Sequence, residues 1–98
     1  ALVSNAGFAD RTPVAELDDA GFARSHDAIA FAFLRLARAA GPLLRAGRDP
    51  RLVAVSSFVA HVFRPDVPVF PASAAAKAAL EALVRALAVE WAPDVTVN

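Results

Sequence analysis

Lys77 is the only lysine in the sequence, and Ala74, Ala75, Ala76, Ala78 and Ala79 surround it. Such a run leaves little to pack except backbone and small methyls, which suits close approach of another helix or of a ligand. An ammonium there can hold a ribose hydroxyl and lower the pKa of a neighbouring acid. The plainer alternative is a side chain that snorkels to solvent. Ser73 stands four residues before Lys77 and Phe70 seven before, so on a helix all three can share a face. A second group is Ser56-Ser57, directly after the apolar run Leu52-Val53-Ala54-Val55. A hydroxyl leaving the carboxyl end of a buried strand can donate to a substrate carbonyl or alcohol; its plainer role is to satisfy nearby backbone. Asn5-Ala6-Gly7 ends the run Ala1 to Ser4 in the same way, with a turn signal.

The elements that must position these residues follow from the pattern. Ala1 to Ser4 predicts a short strand, followed by a polar connection from Phe8 to Leu17. Asp18 and Asp19 can cap a helix running towards Arg45. Its middle, Ala28 to Leu34, is apolar all round, as in a helix buried on most sides. Pro42 is expected to kink or end it, and Gly47 to stop it. Arg51 to Val55 predicts a buried strand, and Phe58 to Val69 a loop long enough to be functional. A helix from about Pro71 to Trp91 carries the stripe Leu80, Leu83, Val84, Leu87 and Trp91, with Glu81 and Arg85 as an i,i+4 pair. Pro93 ends it, and Val95 to Val97 begins another strand. The order β-α-β-α-β implies an α/β fold, with a parallel sheet, right-handed crossovers and helices on its faces. Ligands of such sheets bind at the carboxyl ends of the strands, where Asn5-Ala6-Gly7 and Ser56-Ser57 stand.

Composition bounds the rest. Hydrophobic residues make up 57% of the 98 residues and the formal net charge is zero. The arginines are scattered, which argues against nucleic acid. No cysteine is present, so there is no disulfide, thiol nucleophile or cysteine-bound metal, and no metal site is expected. The longest uncharged apolar run, Ala28 to Leu34, is far short of the roughly 18 residues of a membrane span. The default expectation is a cytoplasmic protein. There is no methionine, and the first and last residues read as strand. Residues 1–98 are therefore expected to be one incomplete domain, an internal piece of a longer chain.

Leu2-Val3-Ser4-Asn5-Ala6-Gly7 resembles the Asn-Asn-Ala-Gly strand end of the short-chain dehydrogenases/reductases, with Ser4 in the first Asn place. Val55-Ser56-Ser57 resembles the family's serine-bearing strand, with Ser57 the better match to the catalytic serine. Ala76-Lys77-Ala78-Ala79-Leu80-Glu81 and Val95-Thr96-Val97-Asn98 resemble its lysine-bearing helix and the strand after it. The resemblance spans the chain and implies a partial Rossmann-type sheet of a three-layer sandwich, whose glycine-rich half and substrate loop lie outside these residues. It implies NAD or NADP as cofactor, held by Asn5, Ala6, Gly7, Val55 and Lys77. Ser57, Ser73 and Lys77 are the implied catalytic residues, acting on a small-molecule substrate. Association into a homodimer or homotetramer through the two helices is also implied.

The same resemblance exposes departures. The family's tyrosine belongs four residues before the lysine, where Ser73 stands, and the chain contains no tyrosine. Ile29 occupies the place of the helix asparagine. Enoyl-acyl-carrier-protein reductases, which keep a tyrosine seven residues before the lysine, are similar at Gly7-Phe8-Ala9 and His26-Asp27, yet here that place holds Phe70. An oxidoreductase with altered proton delivery is expected, or else a non-catalytic cofactor-binding subunit of the same fold. A serine hydrolase built from Ser57, His61 and Asp66 lacks the Gly-x-Ser-x-Gly elbow. A Ser-x-x-Lys enzyme fails because Ser73 and Lys77 are four apart.

Overall fold

In the computed structural model, which describes residues 1–98, the apolar runs form three parallel strands: β1 (Leu2–Ser4), β2 (Arg51–Ala54) and β3 (Thr96–Val97). They lie in the order β1-β2-β3, with Leu2 beside Leu52, Ser4 beside Ala54 and Leu52 beside Val97. Pairing runs one step past β2, where the Val55 N–H donates to Ser4 O at 2.9 Å. The first crossover is a helical rod made of α1 (Asp19–His26), a π-helical turn (Asp27–Phe31) and α2 (Ala32–Ala46). The second crossover contains a 3-10 turn (Phe58–Ala60) and α3 (Pro71–Glu90). This is the parallel α/β sheet with flanking helices that the pattern predicts, and the partial Rossmann-type sheet that the resemblance implies.

Register decides which face is covered. Leu2, Leu52 and Val97 point to one side of the sheet, because alternate residues of a strand share a face. Leu52 and Val97 form one core with Ile29, Phe33 and Ala37 of the rod and Ala76, Leu80 and Leu87 of α3; Leu2 packs against it. Both helical layers therefore sit on a single face, as two right-handed crossovers stepping the same way require. Val3, on the other face, is 59% exposed.

Asp18 caps α1 as expected, accepting the Gly21 N–H at 2.7 Å. Buried positions then recur at every fourth residue: Gly21, Ser25, Ile29, Phe33, Ala37 and Gly41, with Ala30 added at the π-helical turn. The segment Ala28 to Leu34 is buried or half-buried on most sides, as expected, and only Phe31, 52% exposed, faces outward. Pro42 does not end the rod, which continues to Ala46. Pro42 and Arg38 are both exposed, so water can take the carbonyl that the proline leaves without a donor. Gly41, the neighbour of Pro42, is held against Trp91: a Cβ there would stand 3.3 Å from the indole, a tight contact to which the ring would have to yield. Gly47 closes the rod with its N–H on Leu44 O. Pro71 opens α3 at a position where a missing N–H costs nothing. No helix is long and apolar enough to cross a membrane.

Candidate active site

The carboxyl ends of β1 and β2 open into a cleft of about 230 Å³. Asn5, Gly7, Val55, Ser57, Ser73 and Lys77 line it, and Phe70 and Ser56 contribute to its wall. Chain segments far apart in sequence thus bring together every residue that the resemblance implies for catalysis or cofactor binding except Ala6, which is not part of the lining.

Lys77 donates from Nζ to the Val55 carbonyl oxygen at 2.7 Å, tying α3 to the end of β2. Partial burial pushes its pKa down, since desolvation disfavours the charged form. Gly7 keeps the space beside it open. At φ +156° the backbone suits glycine, and a Cβ would lie 3.4 Å from Ile29 Cγ1 and 3.6 Å from Lys77 Nζ. Ile29, 2% exposed, therefore acts as the apolar backing of the turn. An ammonium has three donors; with one on Val55 O, two remain for a ligand.

The three serines differ. Ser57 Oγ accepts the Val59 N–H at 3.4 Å, and its own proton goes to no protein group, leaving it available to the cleft. Ser73 is 3% exposed and fully engaged. Its Oγ accepts the Asp10 N–H at 2.9 Å and donates to Phe8 O at 3.2 Å, so it staples the connection after β1 onto α3. Ser56 donates to Glu81 Oε1. The same oxygen lies 2.8 Å from His61 Nε2, and Arg85 reaches Oε2 at 3.8 Å.

Glu81 is the residue that the sequence pattern does not flag as part of this region; it reads there only as the helical partner of Arg85. Its hydrogen bond from Ser56, aided by His61 and Arg85, holds its carboxyl below the usual range. The signal in the sequence is its position one turn after Lys77, on the side that meets the strand end. With His61 on Glu81 and Asp66 paired to Arg64, no Ser57-His61-Asp66 triad forms. Nor do His, Cys, Asp and Glu side chains gather into a metal-binding group.

Comparison with known proteins agrees with this geometry. A family model described as enoyl-(acyl carrier protein) reductase matches residues 1–98. No curated protein matches the sequence. Among solved structures, an NADPH-bound short-chain oxidoreductase from Pseudomonas aeruginosa, described as containing an atypical catalytic center, is 32% identical with a TM-score of 0.87. It is matched over 99% of this chain and 37% of its own. An oxidoreductase of the short-chain dehydrogenase/reductase family from Burkholderia thailandensis is 28% identical, with a TM-score of 0.85 and coverage of 99% and 37%. The aldohexose dehydrogenase of Thermoplasma acidophilum, at 24% identity, a TM-score of 0.88 and coverage of 99% and 37%, shares the fold. The present chain thus spans little more than a third of the length of these structures. Family model, fold and strand-end motifs coincide over the same residues, and the chain belongs to the short-chain dehydrogenase/reductase family.

Proposed function

We propose that the protein is an NAD(P)-dependent oxidoreductase that reduces a carbonyl or enoyl group, or oxidises an alcohol, with proton delivery altered from the family's usual route. The observation that carries this is the convergence of Lys77 Nζ, Val55 O and the bare Gly7 at one point of the cleft. Two free ammonium protons beside a glycine with no Cβ fit a pair of ribose hydroxyls, so Lys77 and Gly7, with Asn5 and Val55, would hold the cofactor. NADPH, which the Pseudomonas structure holds, is the first cofactor to try. When bound, the nicotinamide supplies or accepts the hydride. Residues 1–98 form part of a single cofactor-binding domain.

Proton handling falls to the chain itself. A tyrosine beside a lysine works because the ammonium favours the phenolate, and a serine hydroxyl is far less acidic. Ser73, moreover, has its proton on Phe8 O and its lone pair on the Asp10 N–H. Ser57 is the free hydroxyl, suited to polarising a carbonyl and to relaying a proton from water. General acid catalysis contributes roughly 10²–10⁴-fold, and that factor is what the loss of tyrosine puts at stake. The test is Ser73→Tyr in the full-length protein, with ketone reduction measured under NADPH. An increase is expected; an unchanged rate, with the cofactor bound, would overturn the missing-acid account.

The doubly engaged Ser73 also favours a second reading, a cofactor-binding subunit that does not turn over. It would bind NADPH in a fluorescence titration, yet be inert on a panel of carbonyls and alcohols.

A further inference from the structure

The Ser73 staple has a charged neighbour. By fixing Phe8 O and the Asp10 N–H, Ser73 fixes the residues that lead into Arg11. The Asp10 carboxylate folds onto the Thr12 N–H at 2.9 Å, which closes the turn around Arg11. The Arg11 guanidinium lies over the Phe70 ring, 5.5 Å from its centroid, and Phe70 is part of the cleft wall. Stacking holds a guanidinium plane without using its N–H donors. Arg11 makes no ion pair, nor do Arg24, Arg38, Arg45 and Arg48, but among these it alone lies against a residue of the cleft wall. The cleft lining contains no acidic residue, and its one charged group, Lys77, is engaged with Val55 O. Arg11, itself outside the lining, thus stands beside the cleft wall at Phe70 as a planar cation with free donors, and the interior offers nothing to repel an anion.

We propose that Arg11 binds a carboxylate of the substrate, so that the cleft takes keto acids, or the corresponding hydroxy acids, in preference to neutral ketones and alcohols. The proposal rests on the oxidoreductase reading above. Ser73 is then a positioning residue: in the place of a proton donor it holds the loop that brings Arg11 beside the cleft wall. Guanidinium and carboxylate match as a planar, two-bond pair, which a lysine cannot reproduce.

The experiment uses the full-length protein with NADPH and a chain-length series of keto acids, from pyruvate through levulinate to longer homologues, each against its methyl ester. The wild type is expected to favour the best acid over its ester by about tenfold to a hundredfold in kcat/KM, mostly through KM. Arg11→Gln should abolish that preference while leaving ester turnover and NADPH affinity unchanged; Arg11→Lys should keep only part of it. Ser73→Ala, which frees the loop that carries Arg11, should lower the acid-to-ester ratio. An acid-to-ester ratio that is the same in Arg11→Gln and the wild type overturns the proposal, as does a wild type that prefers esters. If neither substrate turns over, the oxidoreductase reading fails separately. Levulinate binding, followed by quenching of bound NADPH fluorescence, then decides the proposal: binding lost in Arg11→Gln supports it, while binding absent in the wild type or unchanged in the variant overturns it.

Discussion

Lys77 Nζ and the Val55 carbonyl oxygen stand 2.7 Å apart, so a single hydrogen bond joins the first half of α3 to the end of β2 beside Gly7. Lys77→Met removes both this bond and the two donors left for a ligand. NADPH affinity should fall by about tenfold or more, the worth of a charge-assisted hydrogen bond. The side chain is only partly buried, so thermal unfolding of the variant should stay close to the wild type. An unchanged NADPH titration would remove Lys77 from the cofactor site.

Burial depresses the Lys77 pKa below its ordinary 10.5. Between the two values the unfolded chain binds more protons than the folded one, so this group makes stability rise with pH across that window. Ligand binding runs the other way. The ammonium is the binding form, and NADPH affinity should decline as pH rises through the depressed value, beginning below 10.5. Lys77→Arg, whose charge persists, should flatten the decline. Affinity that holds steady up to the ordinary lysine range contradicts this.

Gly7→Ala would place a methyl 3.6 Å from Lys77 Nζ on backbone at φ +156°. Strain of about 1–3 kcal/mol is expected for a side chain there. The variant should melt earlier and bind NADPH more weakly, because the methyl occupies the space beside the ammonium.

Ser73→Ala leaves the Asp10 N–H and Phe8 O without their partner, at half-buried and exposed residues where water can replace it. A cost of about 0.5–1.5 kcal/mol in chemical denaturation is expected. Hydrogen exchange should quicken at the Asp10 amide. Unaltered protection there would mean that the staple does not hold the loop.

An apolar groove separates the rod from α3, lined by Ala30, Phe31, Leu34, Ala79, Leu83 and Ala86. This groove is the apolar face that copies would cover if they associate through the two helices, as the family resemblance implies. Leu83→Lys should shift the full-length protein to a smaller species in size-exclusion chromatography. A monomeric wild type would count against helix pairing.

Much of this was legible in the sequence, and what was not has a common cause. Strand ends, the Asp18 cap, the Gly47 stop and the Pro71 start are local signals, and each stands where the spacing puts it. Pro42 does not end the rod, because a proline on the exposed side of a final turn loses a bond that water replaces. That Phe31 is the one exposed residue of the Ala28 to Leu34 run is not legible, because an apolar composition cannot say which side faces outward. The partners of Ser73 are 63 and 65 residues away, and those of Glu81 are 25 and 20 away. No periodicity records such contacts. Residue type alone made Ser73 look like a weak acid; its partners make it a tether.

The π-helical turn in the rod has a geometric consequence. Six inward residues spaced four apart cannot stay in line on a regular helix, because each step of four overshoots a full turn by about 40°. Over the distance from Gly21 to Gly41 the row would wind away from the sheet. The wider turn at Asp27–Phe31 takes back part of that accumulated rotation, and two neighbours, Ile29 and Ala30, face inward together where it does so. The rod is thus two helices in different phase, joined by one surplus residue. Removing a residue from 27–31 would straighten it and turn either Gly21 and Ser25 or Phe33 and Ala37 away from the core. Because Ile29 backs Gly7, that phase step also places the apolar support behind the turn after β1.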